Sequence, residues 1–314
     1  MRRATNEDQF LIAELNKSMR VLQTSLGLDH QTRMFGNSQG KLMVVADGMG
    51  GHEAGERASQ LAVDSVVTYV LNTMQWFFRF DAENDQEVRE ELCASLLHCQ
   101  KMLVDEVESL PQRGGMGTTL TMAYLLWPRL YLVHVGDSRC YLLRGGELRQ
   151  ITRDHTLAQL SKEASGETDA DEDEDPRASG SNSLWNVINA SDDHLSPEIY
   201  TAELQLGDAL LLCTDGLYKH VRRQRLAEVL QSGQSSQQIC QTLIDEANGD
   251  GGSDNITVVV ARFCADTENG CEDAAHASDE LELDLALADT GDYIHPGIRT
   301  HHDGKKPVAQ TNDC

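Results

Sequence analysis

The feature that most narrows the fold is a series of short apolar runs, several of which deliver an aspartate at one end beside a glycine or another turn-capable residue. Runs at residues 9–15, 19–26, 41–46, 118–126, 130–135, 140–143, 209–213 and 256–263 alternate or are rich in β-formers, which is the pattern of strands. Together they predict two sheets. Helical spacing is clearest at Ala58, Leu61, Ala62, Ser65, Val66 and Tyr69, and a second periodic stretch covers residues 88–107; being neighbours, the two are expected to pair antiparallel. Shorter helices are predicted over 155–163, 223–231 and 237–247. Strands precede and surround the helices without a βαβ rhythm, so the expected class is α+β, a layered sandwich.

A chain of 314 residues with 40% hydrophobic composition can bury one large core or two modest ones. Two segments depart from the rest. Residues 163–183 contain a nearly all-acidic run at 169–175 followed by Gly, Ser and Asn, the composition of a mobile insertion. Residues 264–314 are acidic and poor in β-branched side chains, so a disordered tail is expected there, although Leu281, Leu283, Leu285 and Leu287 alternate. The leading residues MRRATNEDQF lack a secretory apolar stretch, and the most apolar later run is cut by Pro128 and Arg129. A soluble, cytoplasmic chain is expected. Eight cysteines show no C-x-x-C spacing and read as reduced residues, Cys140 and Cys213 within strands. Lys and Arg number 26 against 51 Asp and Glu, a formal charge of −25, which argues against nucleic acid or an anionic membrane as partner.

The aspartates carry the chemistry. KLMVVADGMGG places Asp47, LVHVGDSR places Asp137, LLLCTDGLY places Asp215 and GGSDNITVVV places Asp254, each at the end or start of an apolar strand. Glu7 and Asp8 precede another strand in NEDQF. Any one Asp-Gly pair is an ordinary turn. A set of carboxylates at sheet rims suits hard divalent cations, because magnesium and manganese favour oxygen ligands over thiolate or imidazole. The acidic run at 169–175 lacks the EF-hand spacing that would suggest a calcium protein.

In order along the chain, NED, VADGMGGHEAGERAS, GMGTTL, VGDSRCYLLR, ITRDHT, LLLCTDGLY and DNITVVV resemble the metal-dependent protein phosphatase (PPM) family, type 2C, of bacterial type. The match covers roughly residues 3–263, taken as the phosphatase domain, and is weakest across the insertion at 163–183. The resemblance implies a four-layer α-β-β-α sandwich, two antiparallel sheets flanked by helix pairs, with metals in a cleft at one end. It implies two Mn2+ or Mg2+ ions, bridged by Asp47, with the Gly48 carbonyl, Asp215 and Asp254 at the first and Asp8 and Glu7 supporting the second through waters. Asp137 matches the position that, with Asp215, binds a third and weaker ion. Arg3 matches the phosphate-binding arginine, whose planar guanidinium takes two phosphate oxygens at once.

The implied reaction is hydrolysis of phosphoserine and phosphothreonine in proteins by a hydroxide bridging two metal ions. The implied substrates are phosphoproteins of a Hanks-type kinase, and a monomer is expected. Two departures stand out. Where eukaryotic-type relatives carry a histidine after the Asp-Gly pair, this chain has Met49, leaving His52 as the candidate general acid. In the family a strand leads into the arginine, whereas only two residues precede Arg3. The competing reading is a catalytically silent binding or regulatory module of the same fold. Retention of mutually repelling carboxylates argues against it.

Overall fold

The computed structural model describes residues 5–20, 33–73, 85–165, 183–190, 195–265, 281–289 and 298–300. The strands are β1 (Asp8–Arg20), β2 (Arg33–Met49), β3 (Gly117–Thr118), β4 (Leu120–Leu126), β5 (Arg129–Val135), β6 (Arg139–Arg144), β7 (Glu147–Gln150), β8 (Ile188–Asn189), β9 (Glu198–Glu203), β10 (Ala209–Cys213), β11 (Thr257–Ala265), β12 (Leu281–Asp289) and β13 (Ile298–Thr300). The helices are α1 (His52–Asn72), α2 (Asp85–Ser109), α3 (Leu157–Ser165), α4 (Asp215–Tyr218), α5 (Arg223–Leu230) and α6 (Ser236–Gly249).

Among the described residues two antiparallel sheets form. In the first, β2 pairs with β1 along one edge and with β4 along the other, and the order runs β8-β3-β2-β4-β5-β9. The second runs β13-β12-β11-β10-β6-β7. The period-2 geometry of strands explains how the sheets stack. Leu42, Val44 and Ala46 of β2, with Leu120, Met122, Val133 and Val135, share a core with α1 and α2. The intervening Met43 and Val45 join Leu130, Leu132, Leu210, Leu212, Val259 and Phe263 in the layer between the sheets. Leu211, Cys213, Val258 and Val260 face the other way, onto α5 and α6. Central strands buried on both faces must be apolar throughout, hence the continuous runs in the sequence.

The helices supply matching stripes. Ala58, Ala62, Val66 and Val70 recur every fourth residue in α1, and Val88, Leu92, Leu96, Cys99 and Leu103 line α2. On the other side, α6 buries Ile239, Leu243, Ile244 and Ala247 and begins at a capping box between Ser235 and Gln238. The four-layer α-β-β-α sandwich expected from the sequence is the observed architecture.

Three differences from the sequence reading have physical causes. The half-exposed strand β9 lacks a clean alternation of buried and open positions, which hid it. The helix expected over 155–163 begins two residues later, because the Thr156 hydroxyl accepts a hydrogen bond from the Gln159 amide at 3.1 Å. The expectation of disorder after residue 263 fails for residues 281–289, where β12 lies antiparallel to β11 from Thr257↔Asp289 to Ala265↔Leu281. There the exposed hydrogen-bonding edge of β11 and the alternating leucines outweigh the acidic composition. The remainder of that tail, and residues 166–182 of the acidic insertion, lie outside the described residues, as do 21–26 of the second predicted strand.

Leu212, fully buried between the sheets, and Leu206, 56% exposed, give a matched pair for testing this packing. Leu212→Ala is expected to cost about 2–5 kcal/mol and Leu206→Ala less than about 0.5 kcal/mol. Urea denaturation checks both through the midpoint at unchanged slope.

Candidate metal centre

The site forms where the two sheets end together. At the rim of the first sheet, antiparallel pairing sets Asp8 directly opposite Asp47. The Asp47 backbone is gripped by one residue on both sides: its amide donates to Thr119 Oγ1 at 3.0 Å, and its carbonyl accepts from the Thr119 amide at 2.9 Å. The next residue must be glycine for a steric reason. A Cβ on Gly48 would meet the Gly55 carbonyl oxygen at 2.1 Å, so the first turn of α1 can press against the Asp-Gly turn only if no side chain intervenes. The Gly48 amide donates to the Glu7 carbonyl at 3.1 Å, and the Ser59 hydroxyl donates to the same oxygen at 2.6 Å.

The second sheet contributes from the end of β10 and the start of β11. Thr214 and Thr257 bond each other across this end, and their hydroxyls both donate to Asp8 Oδ2 at 2.8 Å. These two bonds stitch one sheet to the other. Asn255 adds a clamp: its Oδ1 accepts from the Glu7 amide at 3.0 Å, its Nδ2 donates to the Thr5 carbonyl at 3.0 Å, and its own amide donates to Asp254 Oδ1 at 2.7 Å. A Cβ on Gly216 would lie 2.0 Å from the Asn255 carbonyl oxygen. The Asp215 turn and the Asp254 loop are therefore in backbone contact.

Asp137 sits in the turn between β5 and β6, after Gly136 at φ 107°. Tyr218 of α4 donates to Asp137 Oδ2 at 3.3 Å. The Tyr218 ring lies 3.5 Å below the Arg139 guanidinium, which in turn grips Asp154 through Nε at 3.0 Å and Nη2 at 2.6 Å. This series of contacts fixes Asp137 from behind.

Electrostatically the cluster is under stress. Burial raises the Asp47 carboxyl well above the ordinary carboxylate range, and repulsion from Asp8, Asp215, Asp137 and Asp254 adds to it. Burial likewise pushes Asp8 up to about 7, against the lowering by its two threonine donors, with Asp215 and Asp254 raising it further. Asp137 is pushed up to about 7 by burial and by repulsion from Asp215 and Asp154, opposed by Lys219 and Arg139. Asp8 Oδ1 and Asp215 Oδ1 are buried with no hydrogen-bond partner. A buried carboxylate oxygen with no protein donor is what a cation would satisfy, so the residues fit a hard-metal site. Among the described residues no three acidic, histidine or cysteine side chains close on one point by themselves. They share a field, as mutually repelling groups do.

Of the predicted set, Asp8, Asp47, Asp137, Asp215 and Asp254 lie within electrostatic reach of one another, and Glu7 is buried with its Oε2 beside Gly55. Arg3 and the His52 side chain lie outside the described residues. Sequence reasoning missed Thr214, Thr257, Asn255 and the Asp154–Arg139–Tyr218 relay. Thr214 and Asn255 each adjoin an aspartate of the predicted set and Thr257 opens the strand that follows Asp254, but their partners lie far along the chain.

A histidine pair backs the turn that holds Asp137. His155 Nδ1 accepts from the Gly136 amide at 3.1 Å, and the His134 and His155 rings lie 4.8 Å apart, both fully buried. Burial pushes His134 down to about 4, with His155 adding to the shift, and burial also lowers His155.

The comparisons with known proteins agree on one group. A family model described as protein phosphatase 2C matches residues 27–256. The serine/threonine protein phosphatase PstP of Mycobacterium tuberculosis is 37% identical over 222 residues, which is 70% of this chain and 40% of that protein. This chain therefore spans well under two thirds of that relative's length. The serine/threonine phosphatase stp of Listeria welshimeri is 33% identical over 219 residues, 70% of this chain and 83% of the relative. Among solved structures, the S. agalactiae serine/threonine phosphatase superposes with a TM-score of 0.63 at 26% identity, covering 83% of this chain and 93% of that one. The PstP catalytic domain, solved in complex with 2 manganese ions, gives a TM-score of 0.57 at 30% identity, covering 80% and 97%.

The His134 shift sets a pH dependence. Its folded-state value of about 4 lies below its ordinary 6.5, so between these limits the unfolded chain binds more protons and stability is lost as pH falls. The stability advantage of the wild type over His134→Gln is expected to shrink as pH drops from 6.5 toward 4. Urea titrations across that interval check it; a constant difference would show that His134 titrates as an exposed histidine does.

Proposed function

Because this chain belongs to the protein phosphatase 2C family, we propose that it is a divalent-metal-dependent hydrolase of phosphoserine and phosphothreonine in proteins. The observation that carries this reading is the convergence of five carboxylates with two orphaned buried oxygens, Asp8 Oδ1 and Asp215 Oδ1, at one end of the sandwich. A cluster under such mutual repulsion has a use only if cations neutralise it. Two Mn2+ or Mg2+ ions, when bound, would supply Lewis-acid charge and a water made nucleophilic at neutral pH.

In this reading Asp47, Asp215, Asp254 and the Gly48 carbonyl, supported by Asp8 and Glu7, would hold the two ions, and Asp137 with Asp215 would hold a third, weaker one. Thr119 and the Thr214–Thr257 pair keep Asp47 and Asp8 from recoiling when the charge is not yet neutralised. Arg3 binds the substrate phosphate, and His52 protonates the leaving alkoxide. Phosphoproteins made by a Hanks-type kinase are the proposed substrates, met by a monomeric cytoplasmic enzyme. Among the described residues no helix is long and apolar enough to cross a membrane.

Hydrolysis of p-nitrophenyl phosphate tests the reading directly. Mn2+ is expected to stimulate it, chelator to abolish it, and Asp47→Asn or Asp215→Asn to lower kcat by roughly a hundredfold or more. The same Asp47→Asn change is expected to raise the melting temperature of the chelated protein, since it removes one of the repelling charges. Activity that survives both substitutions would sink the proposal.

A further inference from the structure

One cation already sits inside the acidic cluster. Lys219, immediately after α4, forms an ion pair with Oδ2 of Asp215, four residues earlier. Asp137 and Asp254 add to the attraction on its ammonium. The neighbouring cation, Arg139, is engaged by Asp154 and stacked on Tyr218, so it is held away from Asp215 by bonds of its own. The two oxygens of Asp215 are therefore in different states: Oδ2 faces Lys219, and Oδ1 is buried with no hydrogen-bond partner.

Lysine is suited to an exchangeable role. Its ammonium is a compact point charge on a flexible four-carbon stem, and it is strongly hydrated once released. The Lys219 side chain is 23% exposed, so a path to solvent lies open. A divalent ion that takes both oxygens of Asp215, or a further ion shared between Asp215 and Asp137, meets this ammonium in its way. The two cannot occupy the same space, and at contact distance their repulsion is large.

We propose that Lys219 is an internal counter-cation that competes with divalent metal for Asp215 and so sets the metal concentration at which the centre fills. The inference rests on the metal-dependent reading above. Lys219 stabilises the metal-free cluster, and the same contact weakens metal binding by the free energy needed to break it. Filling the centre turns the lysine outward.

Mn2+ binding to the chelator-stripped full chain, followed by calorimetry or by the electron paramagnetic resonance of free Mn2+, tests this without recourse to activity. Lys219→Met and Lys219→Gln are expected to bind Mn2+ about tenfold tighter than the wild type in at least one site, while melting at a lower temperature in chelator. A second measurement needs no variant: acylation of lysines by a succinimidyl ester, read by mass spectrometry, is expected to rise at Lys219 on adding Mn2+ and to stay level at Lys41, Lys101 and Lys162. Unchanged or weaker Mn2+ affinity in folded neutral variants, or Lys219 reactivity that does not rise with Mn2+, would overturn the proposal. A wild type that fails to bind Mn2+ while Lys219→Met binds it would support the proposal strongly. Failure of every form to bind would overturn the metal-dependent reading, and this inference with it.

Discussion

Repulsion among clustered carboxylates governs this molecule. Asp8, Asp47, Asp137, Asp215 and Asp254 come from five separate segments and act on one another at the end of the sandwich. Left to themselves such groups would spread into solvent, so their convergence has to be enforced by the scaffold. The enforcement is local and specific. Thr119 grips Asp47 through the backbone, two threonine hydroxyls hold one oxygen of Asp8, and Asn255 ties the Glu7 strand to the Asp254 loop. Gly48 and Gly216 allow backbones to meet where a methyl group would overlap a carbonyl oxygen. None of these devices touches the unpartnered oxygens of Asp8 and Asp215, which is why they remain for a cation.

The energy that makes this possible lies elsewhere in the fold. Each carboxylate taken from water costs several kcal/mol even after relaxation, whereas a fully buried Leu or Val contributes about 1.5–3 kcal/mol. The three apolar layers contain many such side chains, and the layer between the sheets is built from residues that alternate strictly with those facing the helices. A two-sheet stack places strand ends from both sheets in register at the same rim. The sandwich is therefore the means by which strands distant in sequence deliver acids to one place.

Much of this was legible because the signals are local. A strand buried on both faces must be apolar, and an aspartate followed by glycine at its end must sit at a rim; both rules read directly from residues 41–48 and 209–216. The carboxylate set followed from them and from the family's motif order. What stayed hidden is pairing across the chain. Thr214 and Thr257 look like ordinary strand residues, and nothing nearby in sequence reveals that their hydroxyls meet Asp8 more than two hundred residues away. Lys219 reads as a surface lysine until Asp215 is seen beside it. In the tail, composition pointed to disorder while alternation pointed to a strand, and the backbone needs of β11 decided the matter for residues 281–289.

Under the phosphatase reading the same repulsion orders events at the cleft. The chain carries a formal charge of −25, and five of its carboxyl groups act on one another at the site. A phosphate ester dianion approaching that cleft before neutralisation meets carboxylates, with Lys219 already drawn onto Asp215. Substrate affinity is then linked to occupancy of the cluster by positive charge, and by thermodynamic reciprocity substrate strengthens the hold on that charge to the same degree. Lys219 belongs to this linkage as well. By stabilising the empty cluster it keeps the scaffold intact while the site waits, and by having to leave it separates the waiting state from the charged one.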